Sequence, residues 1–199
     1  EPAHPSALVG TLGQPSATPV ASGSWLWRGS DGVVPMRAVP FGLTALPVVA
    51  GASTGLVSVT LPCEFSALFP ARGHSSGVTF EAKKGDVFWV ELTSERWGHP
   101  VDPMAFVQRA KTPEAAAKAP VWVDVLELAD TEQNIGDREF PTAHRDAAAR
   151  WEVPESGQYR ILVRDGFRRS DGTAQYPYRL SLRRETPDFQ LVVFPMPPA

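Results

Sequence analysis

Four histidines, one cysteine and a scatter of loop carboxylates are the side chains of this 199-residue chain best equipped for chemistry. The histidines are His4, His74, His99 and His144. A serine hydrolase needs a hydroxyl at a sharp strand-to-helix turn with a histidine to activate it. No serine here precedes a helix-like run, so these histidines are expected in loops or at the surface. A zinc site needs several thiolates or imidazoles at ligand spacing. The chain has no H-E-x-x-H run and no second cysteine to pair with Cys63. Calcium would draw six to eight oxygens from several loops. Asp102, Asp124, Asp130, Asp137, Asp146, Asp165 and Asp171 are available, but without EF-hand spacing. Turn aspartates commonly cap their own backbone, so no resident cofactor is expected. A glycosidase needs two carboxylates facing each other across a cleft. Nothing in the sequence nominates such a pair; a hydrolase of another kind would build its cleft from the polar run Ala129 to Arg150, with Asp137 and Asp146 as its carboxylates. Aromatic side chains are the remaining clue. Of six tryptophans, Trp97 stands in a glycine-bearing loop beside His99 and close to Asp102. Trp97, His99 and Asp102 are therefore the candidate ligand-binding residues.

Those loops must be held by elements, and the elements read as strands. The clearest stretch is Phe80 to Leu92. Phe80 and Ala82 end one apolar alternation, Lys83-Lys84-Gly85-Asp86 forms a polar turn, and Phe88, Val90 and Leu92 share the face of a second strand. The expectation is a hairpin. Val57, Val59, Leu61, Cys63 and Phe65 alternate as if on one strand, which makes Cys63 a buried small hydrophobe. Val121, Val123 and Val125 alternate against Trp122, Asp124 and Leu126. Tyr159, Ile161 and Val163 face one way, and Tyr178, Leu180 and Leu182 alternate against Arg179, Ser181 and Arg183. Asp165 to Tyr176 reads as a hairpin loop, and Phe189 to Phe194 as a last strand. Twenty prolines and sixteen glycines are spread as punctuation between these runs. Seven or more short strands with turns between them predict an all-β fold, an antiparallel β-sandwich.

Composition narrows the partners. The net charge is −3 and the pI about 5.8, which argues against nucleic acid, since phosphate binding needs a clustered basic surface. No apolar run approaches the ~20 residues of a bilayer span. Residues 1–50 are expected to be an extended arm or the tail of a preceding β domain, and 51–199 the sandwich. Ala50 to Gly55 is the boundary, and the chain reads as a mature or excised part of something longer.

Three runs carry a family resemblance: Phe80 to Pro103 (FEAKKGDVFWVELTSERWGHPVDP), Arg150 to Asp165 (RWEVPESGQYRILVRD) and Tyr178 to Phe189 (YRLSLRRETPDF). Together they resemble bacterial pre-peptidase C-terminal (PPC) domains, especially those of large secreted proteins of planctomycete-type bacteria, over about Val57 to Val193. The resemblance implies a jelly-roll-like sandwich and an extracellular, periplasmic or cell-surface location. It also implies a non-catalytic role beside other domains or subunits of a larger assembly. Some members bind calcium or extracellular polymers. The acidic segments of the calcium-binding members are replaced here by Ala50 to Gly55 and Gly73 to Gly77, so no metal ligand is carried over. The expected role is an accessory binding or assembly module for a polysaccharide, a peptide or a partner protein. The alternative is a structural subunit docked through its proline-rich arm, Glu1 to Ser24. A hydrolase is the third reading.

Overall fold

The computed structural model describes residues 23–27, 39–111, 120–136, 138, 141–168 and 176–186. In chain order the strands are β1 (Gly23–Trp27), β2 (Val39–Leu43), β3 (Val48–Ala50), β4 (Gly55–Ser58), β5 (Cys63–Leu68), β6 (Ser76–Ala82) and β7 (Val87–Thr93). They continue as β8 (Pro103–Lys111), β9 (Val121–Leu128), β10 (Asp130–Thr131), β11 (His144–Glu152), β12 (Gly157–Asp165) and β13 (Pro177–Arg184). Among the described residues the one helical piece is a 3-10 turn, Glu95–Trp97, and no helix is long and apolar enough to cross a membrane.

The fold is an all-β sandwich. A six-stranded sheet runs β10-β11-β7-β13-β5-β3 and a five-stranded sheet runs β4-β6-β12-β8-β9, with β1 and β2 as a separate pair. Most pairings are antiparallel, but β3 joins β5 and β4 joins β6 in parallel. Both sheets are therefore mixed, where the alternation alone suggested antiparallel ones. Val48–Ala50, at the expected boundary, is part of the six-stranded sheet. The arm from Glu1, residues 112–119, Asp137, Asp171 and the strand expected from Phe189 to Phe194 lie outside the described residues.

The long strands of the two large sheets turn their apolar sides to one shared interior. Phe65, Phe88, Val90, Leu92, Leu180 and Leu182 come from one sheet, and Val78, Phe80, Val107, Ile161 and Val163 from the other, all buried. Trp151 sits where the layers meet, 5.1 Å from Tyr159 edge-on, 6.1 Å from Phe80 and 6.2 Å from Phe88. One polar tie crosses the interior: the hydroxyls of Ser76 and Tyr178 are 2.7 Å apart. Burial pushes the Tyr178 phenol pKa up, so the hydroxyl stays protonated.

Two expected hairpins prove to be sheet crossings. β6 and β7 do not pair with each other; the Lys83–Asp86 turn carries the chain from the five-stranded to the six-stranded sheet. The reason is apolar content: Phe80 and Phe88 both need the interior, and strands in opposite layers supply it from both sides. Asp86 closes this corner by accepting the Lys83 N–H at 3.1 Å. The corner also docks on the equivalent crossing between β11 and β12. There the Gly85 N–H meets Val153 O, and the Val153 N–H meets Asp86 O, both at 2.9 Å. β12 and β13 likewise lie in different sheets, so the Asp165–Tyr176 loop is a crossing too. The alternating run Val57 to Phe65 is two strands, β4 and β5, with a cis Leu61–Pro62 bond between them. Cys63 is buried as expected, its thiol pKa pushed to about 11 by burial and by the Glu64 charge. The polar run Ala129 to Arg150 is not all loop: it holds β10 and most of β11.

Candidate functional site

The predicted ligand residues occupy one loop but have separate partners. The loop is fixed by Asp146, a fully buried residue of β11. Its carboxylate accepts the backbone N–H groups of Ser94, Glu95 and Arg96 at 2.8, 2.7 and 3.2 Å. It also accepts the Arg96 Nε–H at 2.8 Å. The other end of the Arg96 guanidinium meets Glu91 at 2.5 Å. Asp146 is thus the cap of the 3-10 turn and has no lone pair free for acid–base work, which removes it from the hydrolase carboxylates.

Trp97, at the end of that turn, is half-buried, with the Arg179 guanidinium 5.7 Å from its ring centre. His99 lies 5.7 Å from the Tyr176 ring. Asp102 points elsewhere. Its backbone N–H donates to Asp165 Oδ1 at 3.0 Å, and its side chain lies near the Asp130 carboxylate. Burial raises the Asp102 pKa, reinforced by the Asp130 and Asp165 charges and opposed by Arg145. A groove of about 420 Å³ lies beside this cluster, lined by Glu95, Asp130, Thr131, Glu132, Ala143, His144 and Arg145. Among the described residues no group of three or more His, Cys, Asp or Glu is placed to hold a metal ion. Two runs, Gly51 to Gly55 and Gly73 to Gly77, have G-x-S-x-G spacing, but each leads into a strand, β4 or β6, rather than a helix.

Under Trp97 the outer side of the six-stranded sheet carries a buried charge. Glu64, 6% exposed, accepts from the Ser181 hydroxyl at 3.0 Å. Its Oε2 lies 3.6 Å from Arg179 Nε, an ion pair too long for a hydrogen bond. Burial raises the Glu64 pKa above its ordinary 4.5, with Arg179 and Ser181 opposing. A carboxyl that holds its proton more tightly when folded stabilises the fold at low pH, and that contribution is lost as pH rises through the raised pKa. Urea melts from pH 4 upward should show stability falling over this window, and Glu64→Gln should flatten the fall. An unchanged slope in the variant would contradict the assignment.

The outer face of the five-stranded sheet carries a linked polar row. Register places Thr79, Arg160, Gln108 and Asp124 in one row across β6, β12, β8 and β9. Arg160 Nε–H donates to Gln108 Oε1, and Gln108 Nε2–H donates to Asp124 Oδ1, each at 2.6 Å. The amide is held in one orientation by a donor on one side and an acceptor on the other. The Arg160 guanidinium lies 4.3 Å from the Trp122 ring centre. Four residues along, Arg164 lies 5.2 Å from the Phe106 ring centre. Between the two arginines Leu162, opposite Phe106 and Gly77, is 7% exposed although it faces outward.

The strand pattern alone did not find this row. A bulge in β9 pairs Asp124 with Gln108 and Leu126 with Val107. Val125 becomes the extra residue, and Leu126 turns inward instead of sharing a face with Trp122 and Asp124 as the simple alternation predicts. Gln108 and Arg160 each have a readable outward position, but their adjacency is a matter of register.

No family model matches the chain, and no curated protein sequence matches it. Solved structures do show likeness. The chain is similar to the pre-peptidase C-terminal domain of a collagenase from Bacillus anthracis, with TM-score 0.40 and 10% identity, over 65% of this chain and 96% of that one. It is similar to PliG of Aeromonas hydrophila, a periplasmic inhibitor of g-type lysozyme, with TM-score 0.42 and 16% identity, over 68% and 100%. It is also similar to CorA, a surface-associated copper-binding protein of Methylomicrobium album BG8, with TM-score 0.43 and 9% identity, over 68% and 100%. What those proteins bind or inhibit is a property of those proteins.

Proposed function

We propose that this chain is a non-catalytic binding module of an exported bacterial protein. In this reading the outer face of the five-stranded sheet contacts an extended extracellular polymer. The observation that carries the proposal is the hydrogen-bonded row Arg160–Gln108–Asp124 beside Trp122. A row whose side chains already hold each other in place loses little rotamer freedom on binding, and so presents donors and acceptors at fixed positions. Aromatic rings beside such a row suit flat, hydroxyl-bearing ligands. The family resemblance supports export and an accessory role. The full engagement of Asp146 speaks against the hydrolase reading.

Affinity electrophoresis through soluble xylan, β-glucan, alginate and polygalacturonate tests this. The native chain should be retarded by at least one gel. Trp122→Ala and Gln108→Ala should each weaken retardation about tenfold or more while keeping the native melting temperature, and Trp97→Ala should not. Retardation unaffected by the first two variants, or no retardation in any gel, overturns the proposal.

A further inference from the structure

We infer that the five-stranded face selects a carboxylate-bearing polysaccharide, a polyuronate, whose acid groups are taken by Arg160 and Arg164; this rests on the face being the binding surface. The two guanidiniums stand on the central strand β12 and point to the same side. Their Cα atoms are separated by four residues at about 3.3 Å each, roughly 13 Å in all. Each stands over an aromatic ring, Trp122 or Phe106. Arg160 uses Nε to hold Gln108, and among the described residues its terminal nitrogens make no hydrogen bond. Those nitrogens form one edge of a planar fork whose geometry matches a carboxylate. Arg160 is also partly withdrawn from water, and that burial lowers its pKa despite the Asp124 charge. An anion brought to the fork would restore the compensation the protein leaves incomplete.

The carboxylates of the face stand on flanking strands, Glu81 on β6 and Asp124 and Glu127 on β9. Asp124 is occupied by Gln108. The basic track therefore runs along β12, between acidic margins that would steer a linear polyanion into one line. Thr79, Gln108 and Gln158 add hydroxyl and amide groups beside the track, as sugar hydroxyls need. A peptide ligand would call for side-chain pockets or a free strand edge. This face is flat and lies in the middle of a sheet.

The test uses polygalacturonate and the same polymer fully methyl-esterified, which keeps the backbone and removes the charge. Calorimetric titration at low salt should show polygalacturonate binding about tenfold or more tighter than the ester, weakening as salt is raised. Arg160→Lys, which keeps the charge but loses the fork, should abolish most of that preference. Arg164→Gln should reduce it partly, with melting temperatures unchanged. Equal binding of both polymers, still lost in Trp122→Ala, overturns the carboxylate assignment and leaves the face as the binding surface. Binding insensitive to Trp122→Ala overturns both. Equally tight binding of poly-glutamate overturns the polysaccharide assignment in favour of an acidic peptide. No binding of polygalacturonate overturns the inference outright.

Discussion

Asp146→Ala is expected to destabilise the protein by about 3–5 kcal/mol, the usual cost of removing one partner from a buried charged network. For a chain of this size that corresponds to a melting temperature lower by roughly 6–20 °C. The cause is local and countable. The substitution strands the N–H groups of Ser94, Glu95 and Arg96 together with the Arg96 Nε–H, all of which now end on one carboxylate with no solvent exposure. The buried Ser94 N–H keeps its full desolvation cost, and the part-buried Glu95 and Arg96 groups add to it. Asp146→Asn should recover part of the loss, because one oxygen still accepts from Ser94 and Glu95 while its amide opposes Arg96. Thermal melts of both variants check the ordering. An alanine variant within 1 kcal/mol of the native chain would mean that the loop carrying Trp97, His99 and Asp102 is held by something else.

Gly77→Ala is the second large effect, expected at about 2–6 kcal/mol from backbone strain of about 1–3 plus overpacking of about 1–3. Gly77 sits in β6 with φ of +152°, and a Cβ there would collide with the Ile161 carbonyl oxygen and lie 3.0 Å from its carbon. The backbone of β6 would have to move away from β12, breaking the register Ile161↔Val78 and Leu162↔Gly77. Because Arg160 and Arg164 flank Leu162 on that strand, the variant should also lose polymer binding. Native stability together with native binding in Gly77→Ala would contradict the close approach of the two strands. Gly85→Ala is the matched control: its φ is +83° but a Cβ there meets nothing within 4 Å. It should cost only the strain of about 1 kcal/mol.

The sandwich was legible because alternation reports burial directly. Phe88, Val90 and Leu92, or Tyr159, Ile161 and Val163, can satisfy period two only by facing a core. Which strands pair is not a local property. The Lys83–Asp86 turn has the glycine and aspartate of a hairpin, yet it joins two layers, because pairing is decided by Val153, Tyr159 and Trp151 far along the chain. The site was hidden for the same reason. Trp97, His99 and Asp102 are close in sequence and diverge to Arg179, Tyr176 and Asp130. Gln108, Asp124 and Arg160 are distant in sequence and converge through register and one bulge. Asp146 illustrates the third limit. A loop carboxylate and a capping carboxylate look alike until the backbone N–H groups it accepts are in place.

The most direct measurement is a titration of the isotopically labelled chain with polygalacturonate oligomers, followed by amide and arginine side-chain chemical shifts. The account predicts that the largest changes fall on Arg160 and Arg164, on Gln108 and on the Trp122 indole, with the Glu95–Asp102 loop and the six-stranded sheet undisturbed. Changes centred on Trp97, His99 and Arg179, with β12 silent, would contradict it.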